Sequence, residues 1–245
     1  MKLQLATWPD IENYLENSRA LVIPIGSTEQ HGPTGLIGTD AICPETIAHG
    51  LAGEGILVAP TISFGMAQHH LGFPGSITLR PSTLMAVIVD VVQSLAVQGF
   101  THFFFLNGHG GNIATVNAAF AELYASASLA GRASGLHLKL ANWFQGKRVV
   151  ALSRELFGDA EGSHATPSEI SLTWYAWPEA ERTATLDPVR APNGAIRDAH
   201  DYRKTFPDGR IGSEPGLASR AHGERLYQAG LADALDEFRH FEQTV

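Results

Sequence analysis

The chain has 245 residues, 44% hydrophobic and 17% charged, which supplies a sizeable apolar core and excludes a disordered chain. Lys plus Arg is 17 against 25 Asp plus Glu, a net charge of −8 that repels phosphate backbones and disfavours nucleic acid as a partner. A single Cys43 leaves no partner for an intrachain disulfide and no Cys-based zinc knuckle, whereas 11 histidines offer nitrogen ligands.

The start, Met1-Lys2-Leu3-Gln4-Leu5 followed by Trp8, Asp10 and Glu12, has no signal-peptide core, so a cytoplasmic location is expected. Residues 21–25 are apolar, end at Gly26 and read as a buried strand. A helix is expected over 44–53 and a second strand over 56–60. Ser82 is placed to cap a helix over 83–98, closed by Gly99. Its apolar run 84–92 is broken by Asp90 and is too short to span a bilayer. A strand over 101–106 contains Phe103-Phe104-Phe105 and is expected to be buried on both faces. Asn112 opens an Ala-rich helix ending near Gly131, and 136–140 is a further strand. Helices over 166–174 and 226–241 complete the pattern. Strand–helix alternation without a linker predicts one α/β domain over 1–245, with a mostly parallel sheet covered on both faces. In such sheets the chemistry lies at the C-terminal strand ends.

The first strand runs into Gly26-Ser27-Thr28-Glu29-Gln30-His31-Gly32-Pro33. In extended backbone Glu29 and His31 point to one side, so a carboxylate and an imidazole can converge on one cation. Asp40 follows nine residues later, and a short loop returns it to the same strand end. The competing reading is local: Ser27 and Gln30 form a capping-box pattern, and Asp40 caps a helix. The Phe-rich strand runs into Asn107-Gly108-His109-Gly110-Gly111-Asn112, a tight turn with His109 at its apex. It matches neither phosphate-loop nor dinucleotide spacing. In Ser163-His164-Ala165-Thr166-Pro167-Ser168-Glu169, Thr166, Pro167 and Glu169 spell a capping box with a proline start. Glu169 is therefore either a ligand or a cap, and the two roles compete for its oxygens. His69 and His70, in a Gly/Pro-rich loop, suit a substrate-facing wall. Glu29, His31, Asp40, His109 and Glu169 are five ligands without thiolate, a set suited to Zn²⁺, Mn²⁺ or Fe²⁺. A shared carboxylate can bridge two such ions about 3.5–4 Å apart.

These segments, with Phe73-Pro74-Gly75, Gly212-Ser213, Ala218-Ser219 and Gly223-Glu224, resemble the creatininase (creatinine amidohydrolase) family in order and spacing, from Trp8 to Leu226. The resemblance implies a three-layer α/β/α fold, a homo-oligomer that is often a hexamer, and two divalent metal ions that serve C–N bond hydrolysis. It implies Glu29, His31, Asp40 and His109 as ligands, with Asp40 bridging. Gly111 stands where creatininase proper carries a metal-binding Glu, and Glu169, five residues after His164, is expected to supply the fifth ligand. Ala160 stands where creatininase proper has a stacking Trp. Trp143 supplies one aromatic wall, and creatinine itself is not the expected substrate. Other branches deformylate a formamidopyrimidine or trim a peptide precursor of a redox cofactor. The expected activity is hydrolysis of a small cyclic amide or formamide by a metal-bridged hydroxide. In it, His164 serves proton delivery or the oxyanion, Glu161 is a proton shuttle, and His70 and Trp143 line the substrate wall. The rival readings are a serine hydrolase using Ser27 or Ser163, for which no Gly-x-Ser-x-Gly elbow exists, and a metal- or nucleotide-binding module without turnover.

Overall fold

The computed structural model describes residues 1–244. Strands β1 (Ala20–Ile25), β2 (His102–Asn107) and β3 (His137–Asn142) run parallel in the order β1-β2-β3, with Ala20 opposite His102 and His102 opposite His137. The helices among the described residues are α1 (Trp8–Leu15), α2 (Thr39–Gly53), α3 (Pro81–Ala96), α4 (Ile113–Leu129), α5 (Lys147–Phe157), α6 (Pro167–Ala176), α7 (Ala199–Thr205) and α8 (Arg220–Glu242).

The two-residue period of the strands divides the core in two. Ala20, Val22, Phe104 and Leu106 face Ile47 and Leu51 of α2, Leu172 of α6, and Leu226 and Phe238 of α8. Leu21, Ile23, Ile25, Phe103 and Phe105 face Leu84, Ile88 and Val92 of α3 and Val116, Phe120 and Leu123 of α4. The Phe run thus serves both faces, each ring contributing about 1.5–3 kcal/mol by burial. The result is the expected three-layer α/β/α sandwich. No helix among the described residues is long and apolar enough to cross a membrane.

The segment expected as a strand over 56–60 lies parallel beside β1 without forming a regular ladder. Val22 N–H donates to Leu57 O (2.9 Å) and accepts at its carbonyl from Ala59 N–H (2.8 Å). The next bond on that edge is Ile62 N–H to Pro24 O (2.9 Å), three residues on against two in β1. Pro24 has no N–H to give, and Pro60 occupies the extra position, so pairing is reduced to isolated bridges.

Helix α2 starts at Thr39, ahead of the expected 44, and carries Pro44 in its interior. Proline has no N–H for the carbonyl of Asp40 four residues earlier. Gly26 and Gly108 abut that carbonyl so closely that a Cβ on either would lie 2.1 or 1.9 Å from its oxygen. The first turn of α2 therefore sits on the ends of β1 and β2. Helix α3 starts at Pro81 with Arg80 in the cap position, in place of the expected Ser82, because a proline is pre-set for the first helical position. Helix α8 starts six residues before the expected 226, after Ser219, whose side chain accepts from His222 N–H (3.1 Å). Its polar first turn hides it from an apolar-period reading.

Candidate metal centre

The loop after β1 folds back on itself. Glu29 N–H donates to Ile37 O (2.8 Å) and Gly35 N–H to His31 O (3.1 Å), which returns the chain to the strand end and delivers Asp40. The turn after β2 is held by two asparagines. Asn107 accepts from His109 N–H (3.1 Å) and donates to His109 O (2.7 Å). The Asn112 side chain accepts from Met66 N–H (3.0 Å) and donates to Gly26 O (2.9 Å). It ties three loops together and makes no side-chain cap for the helix that follows it.

Four of the expected ligands meet at these strand ends, and α6 brings the fifth. Asp40 lies between two histidines, with Oδ1 3.1 Å from His31 Nε2 and Oδ2 3.0 Å from His109 Nδ1. Glu29 Oε2 is 3.3 Å from His109 Nε2, and Glu169 Oε2 is 3.9 Å from His31 Nε2. Ligand atoms of Glu29, Asp40 and His109 lie within 4.8 Å of one another, as do those of His31, Asp40 and Glu169. Asp40 belongs to both groups. A third grouping joins Glu29 and His31 to His164.

The donor set fits a cation. Glu29 Oε1 and Asp40 Oδ2 are buried without an aligned hydrogen-bond donor among the described residues. Burial pushes the Glu29 and Glu169 carboxyls above the usual carboxylate range. Burial by itself would lower both imidazoles, but Asp40 and Glu169 push His31 up to about 10, and Glu29 and Asp40 push His109 up to about 9. Burial would likewise raise Asp40, yet His31 and His109 hold it well below its ordinary range. Three buried carboxylates thus draw protons onto two imidazoles, and a divalent cation satisfies the same demand without them.

Glu169 is both a cap and a member of the cluster. Its Oε1 accepts Thr166 N–H (2.6 Å), completing the predicted capping box, while Oε2 faces His31 and Asp40. The cap uses Oε1 alone, which leaves Oε2 directed at the cluster. Position 111 is closed to a side chain, since a Cβ on Gly111 would lie 2.3 Å from His109 Nε2.

A cavity of about 540 Å³ opens over the cluster, lined by Asp40, His109, Trp143, Glu161, His164 and Glu169, among others. His70 also lines it, at its floor, with Nε2 2.9 Å from Glu29 Oε1. Trp143 packs in the core beneath β3 and reaches the cavity with Phe144. His164 donates from Nε2 to Gln30 O (2.8 Å), which turns its Nδ1 toward Glu29. Burial, with His31 and His70 nearby, pushes His164 well below its ordinary pKa. Burial pushes Glu161 up to about 7, although its Oε1 accepts from Ser168; its Oε2 has no partner. Ser27 is fully buried and donates to Glu29 Oε2 (2.7 Å), so it braces a carboxylate.

Sequence reading missed Tyr202, which lines the cavity from α7 and donates to Gly209 O (2.7 Å). It also passed over the side chain of Gln30, which touches His70, Tyr202 and Gly209. The 190–211 region carries no motif, and its place beside the site is a tertiary fact. Gln30 lay within a motif, and its position between Glu29 and His31 was the available signal.

A parallel three-layer sandwich bearing a thiolate-free carboxylate–imidazole cluster at its strand ends defines an α/β protein with side-chain groups that could hold a metal ion. The creatininase family, described as creatinine amidohydrolase, matches residues 4–238, and the chain belongs to this family of metal-dependent amidohydrolases. It is 31% identical over 246 residues to a mycofactocin precursor peptide peptidase of Mycobacterium ulcerans, covering 94% of this chain and 84% of that one. With the protein of the same description from Mycolicibacterium smegmatis the match is 34% over 110 residues and spans 44% of that protein. It is 26% identical to the creatinine amidohydrolase of Pseudomonas putida over 94% of each chain. Solved creatininases share the fold: a variant in a Zn–Zn form superposes with a TM-score of 0.83 at 21% identity, over 99% of this chain and 98% of that one. A manganese form gives 0.81 at 21% identity over 99% of each.

Proposed function

We propose that the chain hydrolyses the C–N bond of a small cyclic amide or formamide with two divalent ions, Zn, Mn or Fe. The observation that carries this reading is the shared position of Asp40 between two donor groups, Glu29/His109 and His31/Glu169. When bound there, such ions polarise a carbonyl oxygen and lower the pKa of water toward 7, supplying a hydroxide at neutral pH. The remaining work falls to the chain. Ser27 holds Glu29, and Thr166 holds Glu169 through its backbone N–H. His164, held through Nε2 by Gln30 O, turns Nδ1 toward the cluster and would deliver a proton to the leaving nitrogen or hold the oxyanion. Burial pushes half-buried Glu161 up to about 7, which suits it to shuttle a proton on the same side of the cavity. Trp143 and Phe144 supply an apolar wall, His70 lies at the floor, and no Lys or Arg among the described residues lines the cavity, which favours an uncharged substrate.

A second substrate reading, an amide bond in a short modified peptide, is favoured by the 31% identity to a peptide peptidase over nearly the whole chain. The serine route through Ser27 is disfavoured by its burial against Glu29. A cytoplasmic location and a homo-oligomer, a hexamer by family analogy, belong to the same proposal; exposed Ile37, Phe64, Leu71 and Ile77 favour self-association.

The test is metal quantification followed by a panel of cyclic amides, formamides and short peptides. Asp40→Asn is expected to lose most bound metal and about 3 kcal/mol or more of transition-state stabilisation, because one carboxylate serves both ions. Full activity in chelator, or near-normal metal content and rate in that variant, overturns the reading.

A further inference from the structure

The segment from Pro188 to Ile211 gives the cavity a second apolar surface, away from the β3 end that supplies Trp143 and Phe144. Its root is tied down by a buried cation. Arg210, fully buried, donates to Val189 O (2.8 Å) and Pro188 O (2.7 Å) from its two Nη atoms, and its Nε donates to Asp208 Oδ2 (2.9 Å). Ala191 N–H donates to Ser213 O (2.9 Å), and Pro192 O accepts Gly212 N–H (3.0 Å). Farther on, Asp198 caps α7 by accepting Asp201 N–H (2.8 Å). Between these anchors run Gly194, Ala195 and Ile196, and all three line the cavity. Ile196 is half-buried and packs on a small apolar cluster of Phe73, Tyr202, Phe206 and Ile211, separate from the two faces of the sheet. Tyr202 and Ile211 of that cluster also line the cavity. The Tyr202 hydroxyl gives its only hydrogen to Gly209 O (2.7 Å) and lies 3.2 Å from Gln30 Nε2, so its polar atom is engaged within the protein. Every side chain that this segment offers to the cavity is therefore apolar or already hydrogen-bonded.

We propose that Ile196, with Ile211 of the same cluster, is a specificity-determining residue that receives an aliphatic substituent of the amide substrate. A surface without a free donor or acceptor cannot offset the desolvation of a hydroxyl or a charge, whereas it gains by taking an alkyl group out of water. The inference deepens the proposed amide hydrolysis and rests on it for the scissile bond, but the contact itself can be read by binding without turnover.

The experiment uses the full chain, supplied with zinc and carrying ¹³C at the Ile δ1 methyls. The Ile196 and Ile211 signals are identified by their loss in Ile196→Val and Ile211→Val. The probes are N-methylformamide, N-butylformamide and N-(3-hydroxypropyl)formamide, the last matching the butyl chain in length but ending in a hydroxyl. N-butylformamide is expected to shift the Ile196 signal saturably and to bind about tenfold or more tighter than either other probe. Ile196→Ala is expected to cut that preference by about fivefold or more while zinc content stays at the wild-type level. The proposal is overturned if the butyl probe binds no tighter than the methyl probe, or leaves the Ile196 signal unmoved. It is also overturned if Ile196→Ala keeps the wild-type preference within about twofold. Binding with the expected preferences and no release of formate supports the apolar subsite while counting against formamide hydrolysis, so the two readings fail separately.

Discussion

Replacing Glu169 with Gln separates its two oxygens chemically while leaving their shape. The amide can keep its carbonyl on Thr166 N–H, where Glu169 Oε1 now accepts at 2.6 Å. That exchanges a charge-assisted bond for a neutral one, and metal-free stability should fall by about 1 kcal/mol or less. The amide then places an NH₂ where Oε2 faces His31 and Asp40. An NH₂ group donates and cannot ligate, so an ion held as proposed by His31, Asp40 and Glu169 would lose one of its three ligands, a charged one. A tenfold to hundredfold loss of affinity for that ion is a minimum, about 1.4–2.7 kcal/mol. The rate should fall by about two orders of magnitude or more if turnover needs both ions, as proposed. The assay is metal stoichiometry after dialysis against buffered zinc, with a thermal melt of the metal-free protein and the hydrolysis rate on the best amide of the panel. Two ions retained with a rate within about threefold of wild type would refute the ligand role and leave Glu169 as a cap alone. Glu169→Ala removes both functions and should add a cap loss of about 0.5–2 kcal/mol to the same metal defect.

Creatinine should be a poor substrate, because Ala160 offers no face for a planar ring to stack on; a kcat/KM of about 10⁴ M⁻¹s⁻¹ or more would contradict this. Zinc affinity should rise with pH between 6 and 8. In that window His31 (about 10) and His109 (about 9) are protonated without a cation, so binding must displace their protons. Calorimetry in buffers of different ionisation enthalpy should show between one and two protons released per site pair, and none released would contradict it. Gly108→Ala drives a Cβ to 1.9 Å from the Asp40 carbonyl oxygen and should destabilise by about 2 kcal/mol or more while lowering metal content. An unchanged melt with two ions bound would show that α2 need not sit on the strand ends.

The sequence by itself determined the local chemistry. The spacing of Glu29 and His31, the glycine turn around His109 and the capping box at Thr166 are all written within short stretches, where backbone periodicity decides which way a side chain points. The parallel alternation was legible for the same reason: the apolar runs at 21–25 and 101–106 are dense enough to be strands buried on both faces. Tertiary structure decided the rest. Pro44 reads as a helix start, yet α2 runs back to Thr39, because Gly26 and Gly108 leave room for the first turn against two strand ends. The segment beside β1 reads as a strand, yet the missing N–H of Pro24 and the extra residue at Pro60 reduce it to bridges. Glu169 reads as a cap or a ligand, and only packing of α6 against the β1 loop puts one oxygen on Thr166 N–H and the other toward His31. Tyr202 and Gly209 reach Gln30 across more than 170 residues of chain. Contacts of that kind follow from how layers stack, and no local period in a sequence encodes them.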